Sequence, residues 1–153
     1  LTGRMSGGRR VEDRQRGYLE AMVARGLSVD ERYIRSADPT IDNGKQEALG
    51  LFKISPRPTA IFAASVMLAV GVLSAARNAG LSVPGDVSVV GFDGIEEGVY
   101  HIPSLASMKQ PQAEMAHDSV RILLGHIRGG APHKHLMFSA ELTGGESFAP
   151  FAE

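Results

Sequence analysis

The sequence contains no cysteine and no tryptophan among its 153 residues. The missing thiols exclude a disulfide framework, a thiolate metal site and a cysteine nucleophile. The chain also lacks an excess of either charge, because 16 Lys and Arg residues stand against 17 Asp and Glu residues. Without a large basic surface, we do not expect this segment to bind nucleic acid by itself.

Long apolar runs are scarce as well. The strongest candidate, residues 59–76, is interrupted by Ser65, Gly71 and Ser74, and it is typical of a strand followed by a buried helix. We therefore predict no membrane role. The chain begins with Leu1 and its first residues lack the apolar core of a signal peptide, so we expect a cytoplasmic protein with a truncated N-terminus.

The sequence motifs that mark common enzyme classes are missing too. It has no nucleophile elbow, no phosphate-binding loop and no dinucleotide fingerprint. His133 and His135 alternate along a predicted strand without a third metal ligand, and Glu96 and Glu97 with Asp93 are explained by a solvated loop. We predict a non-enzyme without cofactor or metal.

The chain has enough hydrophobic residues, 43% of the total, to bury the core of a single domain. Apolar periodicity predicts helices at 11–25, from Thr40 to before Pro56, at 66–79 and at 112–128, and strands at 33–35, 59–64, 87–92, 105–108, 133–138 and 141–142. The alternation of buried strands with helices indicates an α/β fold, a parallel sheet with helices on both faces.

Ligands of open parallel sheets bind beyond the carboxyl ends of the strands. Asp38, Ser65 and Asp93 follow predicted strands, and Arg14 lies on the first helix. An arginine and an aspartate can bind adjacent sugar hydroxyls, or the arginine can clamp a carboxylate or phosphate. A second interpretation stays open, in which Ser65 and Asp38 cap helices and Arg14 and Asp93 are structural partners of nearby backbone.

Several segments carry a family resemblance that spans the whole chain. They are RQRGY at 14–18, PTAIFAA at 58–64, VPGDVSVVGFD at 83–93, PSLASMKQP at 103–111, Glu141-Leu142 and ESFAP at 146–150. In this order they resemble the LacI/GalR family of bacterial transcription repressors. The run at 83–93 is the most specific of them.

The resemblance implies a two-lobed fold of the periplasmic-binding-protein type, here incomplete. Residues 1–108 correspond to the C-terminal lobe, of whose first strand 1–3 are the last residues, so that the sheet lacks a central strand. Residues 109–138 correspond to a segment of the N-terminal lobe, and 139–153 to the C-terminal strand and tail. The family's DNA-binding head is absent, so operator DNA would be bound only through that missing part.

The resemblance also implies a ligand sensor that binds a small, sugar-like effector between its lobes. Arg14 and Asp93 match the family's effector-binding arginine and aspartate, and Gln112 matches a position at the lobe crossover. Ser65 and Asp38 complete the expected ligand-binding set.

A homodimer is the further partner that the resemblance implies. Its expected contacts include Val70, Tyr100 and His101.

Two positions depart from the family pattern. Ser65-Val66 stands where the family usually has Asn-Asp, and Gly145 stands where it usually has arginine. Ser65 keeps one hydroxyl but cannot make the two-pronged contact of an amide. These departures keep open a dimerisation remnant that no longer binds ligand. A periplasmic-type solute or sugar receptor of the same fold is the other alternative.

Overall fold

A computed structural model of the chain describes residues 2–3, 9–94, 102–129 and 135–150. Its helices are α1 (Arg9–Ala24), α2 (Ile41–Leu51), α3 (Val66–Asn78) and α4 (Gln112–Ile127), and its strands are β1 (Thr2–Gly3), β2 (Ser36–Ala37), β3 (Ala60–Phe62), β4 (Ser88–Phe92), β5 (Ala106–Lys109) and β6 (Glu141–Leu142). None of these described helices has both the length and the apolar character that crossing a membrane requires.

The described strands form two sheets. In the larger one the order is β3-β4-β5-β6, with parallel pairing except between β5 and β6. The smaller sheet is the parallel pair β1-β2, and no hydrogen-bonded ladder between described residues joins it to β3. The predicted α/β class with a mostly parallel sheet is confirmed.

Helix α3 begins where the sequence predicts. Ser65 has an extended backbone, and its hydroxyl accepts a hydrogen bond from the backbone N–H of Leu68. Thr40 caps α2 in the same way, through the N–H of Asn43. Both helices follow strands, so these caps fix the turn at which the chain leaves the sheet.

Helices α2 and α3 pack with their backbones in contact. A Cβ placed on Gly71 would lie 2.2 Å from the carbonyl oxygen of Ile41, and one on Gly44 would lie 2.4 Å from that of Leu68. Only glycine allows such an approach. The core between these helices and the sheet consists of Ala48, Leu51, Ile61, Ala63, Val66, Leu68, Ala69, Val72, Ala75, Ala76, Val87, Val89 and Leu105.

The C-terminal segment is attached to this core by Ser147. Its buried hydroxyl donates to the carbonyl of Val89 in β4, at 2.6 Å, and accepts from the N–H of Ala106 in β5, at 2.9 Å. The backbone N–H of Val89 in turn donates to the Ser147 carbonyl. One serine thereby satisfies backbone groups on two neighbouring strands.

Helix α4 has the predicted amphipathic pattern but buries none of its residues. Val120, Leu123, Leu124 and Ile127 are between 44% and 71% exposed. Its apolar face therefore has no cover within the described part of the chain.

One predicted strand is displaced and another is wrong. The strand predicted around 33–35 lies at Ser36–Ala37, because residues 31–33 form a 3-10 turn, which the Asp30 carboxylate caps by accepting from the Arg32 backbone N–H. Residues 135–138 have no regular structure, and His133 lies outside the described residues.

Candidate ligand-binding site

Arg14 and Asp93 meet at the carboxyl end of the parallel strands. The Nη2 atom of Arg14 lies 3.0 Å from Oδ1 of Asp93, although the two residues are separated by 79 positions. Their side chains are 17% and 34% exposed, so the pair is partly shielded and still accessible to solvent. The fold thus brings together the two residues that the sequence singled out.

The guanidinium of Arg14 is held on two further sides. Its Nη1 donates to the carbonyl oxygen of Ala64 at 2.5 Å, and its Cζ lies 3.9 Å from the centre of the Phe92 ring. Phe92 packs edge-on against Phe62, with ring centres 6.4 Å apart. A cation above an aromatic ring is stabilised by the negative face of that ring.

Asp93 occupies an unusual backbone conformation. Its φ of 64° lies in the left-handed region, which costs a residue other than glycine on the order of 1 kcal/mol. The next residue is anchored, since the N–H of Gly94 donates to the carbonyl of Met108 in β5. This turn directs the Asp93 carboxylate away from the ladder and towards Arg14.

Gln110 is the third polar side chain of the cluster. It directly follows β5, and its Nε2 donates to the same Oδ1 of Asp93 that Arg14 binds. All hydrogen bonds that described residues make to the carboxylate use Oδ1. The other oxygen, Oδ2, therefore keeps its capacity to accept from a ligand.

The remaining predicted ligand-binding residues lie outside this cluster. Ser65 follows Ala64 and is half-buried, but its hydroxyl already caps α3. Asp38 is exposed, and only its backbone carbonyl takes part in described hydrogen bonds, from Thr40 and Asn43.

Gln112 is the first residue of α4 and is exposed. Its side chain has no hydrogen bond within the described ranges. Within the described residues, no hydrogen bond or ion pair joins Gln112, Asp38 or the side chain of Ser65 to the Arg14–Asp93 pair.

The side chains of this cluster can donate and accept hydrogen bonds. Opposite charges at 3.0 Å cancel each other, so the pair offers hydrogen-bonding groups with little net charge. Within the described residues no group of three or more His, Asp or Glu side chains is placed to hold a metal ion. Neutral, hydroxyl-bearing molecules suit such a surface.

The sequence of the chain matches a known protein family. The family defined as "periplasmic binding protein-like domain" matches residues 3–148. The transcriptional regulator MalR of Clostridium butyricum is 36% identical over 127 residues, which cover 83% of this chain and 38% of MalR. The chain belongs to the LacI family of transcriptional regulators and matches its effector-binding domain.

Solved structures of regulators have the same fold. A regulatory protein from Chloroflexus aggregans aligns with a TM-score of 0.88 and 33% identity over 95% of this chain and 53% of its own. A complex of the regulator CelR with cellobiose aligns with a TM-score of 0.83 and 32% identity over 89% of this chain and 42% of CelR. The chain thus spans little more than a third of MalR and about half of the first of these structures.

One departure from the LacI family pattern has a structural reason. A Cβ on Gly145 would lie 2.4 Å from the backbone nitrogen of Ala106 and 2.7 Å from its Cα. An arginine at this position would force the C-terminal segment away from β5. The glycine is therefore matched to the close approach that Ser147 maintains two residues later.

Sequence reasoning missed Phe92, Ala64 and Gln110 as parts of the cluster. Gln110 was accessible to the rule that selected Asp93, because it too directly follows a strand of the parallel sheet. The aromatic support by Phe92 had no sequence signal, since the residue belongs to an apolar strand. Of the predicted dimer contacts, Tyr100 and His101 lie outside the described residues, and Val70 is half-buried on α3.

Proposed function

We propose that this chain is the ligand-sensing part of a DNA-binding LacI-type regulator and that it binds a small, sugar-like effector at Arg14 and Asp93. The observation that carries the proposal is their 3.0 Å pairing at the strand ends, with one carboxylate oxygen left for a ligand. Of the five N–H donors of Arg14, two are used within the described residues. Donors and an acceptor therefore lie side by side, as vicinal hydroxyls require.

The charge of the site favours a neutral ligand. An anion would gain from Arg14 but would be repelled by Asp93 at nearly the same distance. A hydroxyl can donate to Oδ2 of Asp93 while its neighbour accepts from Arg14. The structure of the related CelR contains cellobiose, a neutral sugar, which supports the choice of ligand class.

The proposal includes a second lobe that contains α4. The exposed Val120, Leu123 and Ile127 form one face of this helix, and such a face is stable in water only when further chain covers it. In this view residues 1–108 form one lobe, 109–138 belong to the other, and effector closes the space between them. Closure then shifts the population of states that bind operator DNA through a separate head.

A homodimer is the proposed assembly. On α3, Val70, Ser74 and Arg77 follow one another at helical spacing and line a surface groove that Ile102 and Pro103 complete. Ile102 is 98% exposed. Replacing Val70 with Asp would place a charge in this groove and is expected to halve the mass measured by sedimentation, while an unchanged mass would remove Val70 from the interface.

The regulator reading has two competitors. A solute receptor of the same fold would share the family match, but the curated relative MalR is named a transcriptional regulator, which favours regulation in the cytoplasm without catalysis. A remnant that has lost its ligand is suggested by Ser65, whose hydroxyl is engaged in the helix cap. A measurement of ligand binding distinguishes the two hypotheses, because the remnant would bind no effector.

The test is a thermal-shift and calorimetric screen of neutral sugars, sugar phosphates and purines on the longest protein that the gene encodes. A ligand at a hundred times its Kd adds about 2.7 kcal/mol to the free energy of unfolding, which raises Tm by several degrees. We expect one neutral sugar to do so, and Arg14→Ala and Asp93→Ala to abolish the shift.

The matched control is the exposed pair Asp30 and Arg32, which bind each other at 2.7 Å on the surface. Alanine at either position is expected to leave the ligand shift unchanged. Stabilisation by anions that depends on Arg14 would contradict a neutral effector. The absence of stabilisation across the library would favour the remnant.

A further inference from the structure

Phe92, the last residue of β4, and Asp93, which follows it, support Arg14 from different directions. The centre of the Phe92 ring lies 3.9 Å from Cζ of the guanidinium, and Oδ1 of Asp93 accepts from Nη2 at 3.0 Å. The carbonyl oxygen of Ala64 accepts from Nη1 at 2.5 Å. The guanidinium is thus bound at both terminal nitrogens and covered on one face.

Two consecutive side chains of a regular strand could not support the same group, because successive side chains point to opposite faces of the sheet. Asp93 departs from this alternation, since its φ of 64° lies in the left-handed region. Its carboxylate thereby reaches the guanidinium that lies over the Phe92 ring. The unusual backbone of Asp93 is what allows both residues to support one arginine.

The two hydrogen bonds alone do not fix the orientation of the guanidinium. A planar group that is bound at two atoms can still tilt about the line that joins its two acceptors. The Phe92 ring opposes that tilt, because a guanidinium stacks favourably on the negative face of an aromatic ring. The ring is itself held edge-on against Phe62, with ring centres 6.4 Å apart. The plane of the guanidinium therefore follows from the position of the ring.

We propose that Phe92 is a positioning residue for effector binding, in which the negative face of its ring fixes the plane of the Arg14 guanidinium. The proposal rests on the function proposed above. Two of the five N–H donors of Arg14 are used in the described hydrogen bonds, so three are left to serve the effector. All five N–H bonds lie in the guanidinium plane, and the plane therefore sets the directions in which these donors point.

An aromatic ring is the chemical requirement of this role. An aliphatic side chain can occupy similar space, but it has no negative face to hold a cation. Fluorine atoms on the ring withdraw electron density from its face and change its size only slightly. A series of mono-, di- and trifluorinated phenylalanines at position 92 therefore separates the electrostatic contribution of the ring from its packing.

The first measurement needs no effector. Rotation about the Nε–Cζ bond of Arg14 turns the guanidinium away from the ring and exchanges Nη1 with Nη2. The rate of this exchange is measured by 15N NMR on the longest protein that the gene encodes, with Arg14→Lys to identify the signals. We expect the exchange to be about tenfold faster in Phe92→Leu and to accelerate with each added fluorine.

The matched control is Phe52, whose ring packs against the core without a described cation stacked on it. Phe52→Leu and fluorination at position 52 are expected to leave the exchange rate of Arg14 unchanged. Equal rates in Phe92→Leu and in the unchanged protein would overturn the proposal.

The second measurement is calorimetric binding of cellobiose and of glucose, used as probes, to the same protein. We expect Kd to rise stepwise along the fluorinated series at position 92 and to reach about tenfold with three fluorines. The same series at position 52 is expected to change Kd by less than about twofold. Affinity that falls in Phe92→Leu but stays constant along the fluorinated series would show that the ring only fills space, and would overturn the positioning role.

The two proposals fail in different ways. If neither probe nor any library member binds the unchanged protein, the sensor function is wrong, while the exchange rates still decide whether Phe92 fixes the guanidinium. If a probe binds and depends on Arg14 and Asp93 but tolerates every change at Phe92, the sensor stands and the positioning role is wrong.

Discussion

Helices α3 and α4 both carry an apolar face but have opposite surroundings. Helix α3 buries seven of its residues against α2 and the sheet, whereas α4 buries none. Helix α3 was predicted from a nearly all-apolar run and α4 from an amphipathic pattern. The apolar residues of a helix identify the face that has to be buried. What buries that face depends on the rest of the fold.

The largest expected effect comes from truncating one leucine on each helix. Leu68 in α3 is fully buried, and Leu123 in α4 is 59% exposed. We expect Leu68→Ala to lower the free energy of unfolding by about 3 kcal/mol and Leu123→Ala by less than about 0.5 kcal/mol. Urea denaturation followed by circular dichroism measures both, and equal losses would mean that α4 has a cover in solution.

A slightly smaller effect is expected where α2 and α3 touch. Gly71→Ala would press a methyl group against the backbone of α2 and is expected to cost roughly 2–3 kcal/mol. Gly50→Ala in α2 is the control, because a Cβ there meets nothing within 4 Å and the helix gains up to about 1 kcal/mol. If both variants unfold alike, the close helix contact does not exist.

The attachment of the C-terminal segment ranks third. Ser147→Ala leaves a buried carbonyl on β4 and a buried N–H on β5 without their partner, which is expected to cost about 1–2 kcal/mol. Ser139→Ala removes an exposed hydroxyl and should be neutral within about 0.5 kcal/mol. Comparable stabilities of the two variants would show that the C-terminal segment does not pack against β4 and β5.

The smallest effect concerns the turn before β4. The side-chain hydroxyl and then the backbone N–H of Ser82 donate to Asp86 and lower the pKa of its carboxyl below the ordinary value, with a smaller contribution from Arg57. A lowered folded-state pKa gives stability that is present above the unfolded value of about 3.9 and is lost as pH falls through the folded one. The stability difference between the unchanged chain and Asp86→Ala should therefore shrink below about pH 4. A constant difference from pH 7 to 3 would exclude this carboxylate as its source.

The sequence was informative where a residue acts locally. Ser65 caps α3 as predicted because an N-cap needs only a nearby hydroxyl and an extended backbone. The strand predicted around 33–35 lies slightly later, at Ser36–Ala37, because Asp30 stabilises a local turn that periodicity does not register.

The candidate site was predictable in part. The strand-end rule and the family resemblance selected Arg14 and Asp93, and the fold pairs them, while their ligand-binding role remains a prediction. Gln112 was chosen where Gln110 makes the contact, because the end of β5 at Lys109 determines which glutamine reaches Asp93. The stacking of Arg14 on Phe92 could not be predicted, because the two residues are far apart in the sequence and only the fold brings them together.

The left-handed backbone of Asp93 sets two selective pressures against each other at one position. Glycine would relax that conformation and make the folded chain more robust to heat, yet it would delete the carboxylate that Arg14 and Gln110 share. A population of variants selected only for thermal resistance should accordingly drift to glycine here, whereas one selected for a response to effector should keep the acid. Selection for thermal stability and selection for effector response are therefore expected to favour different residues at position 93.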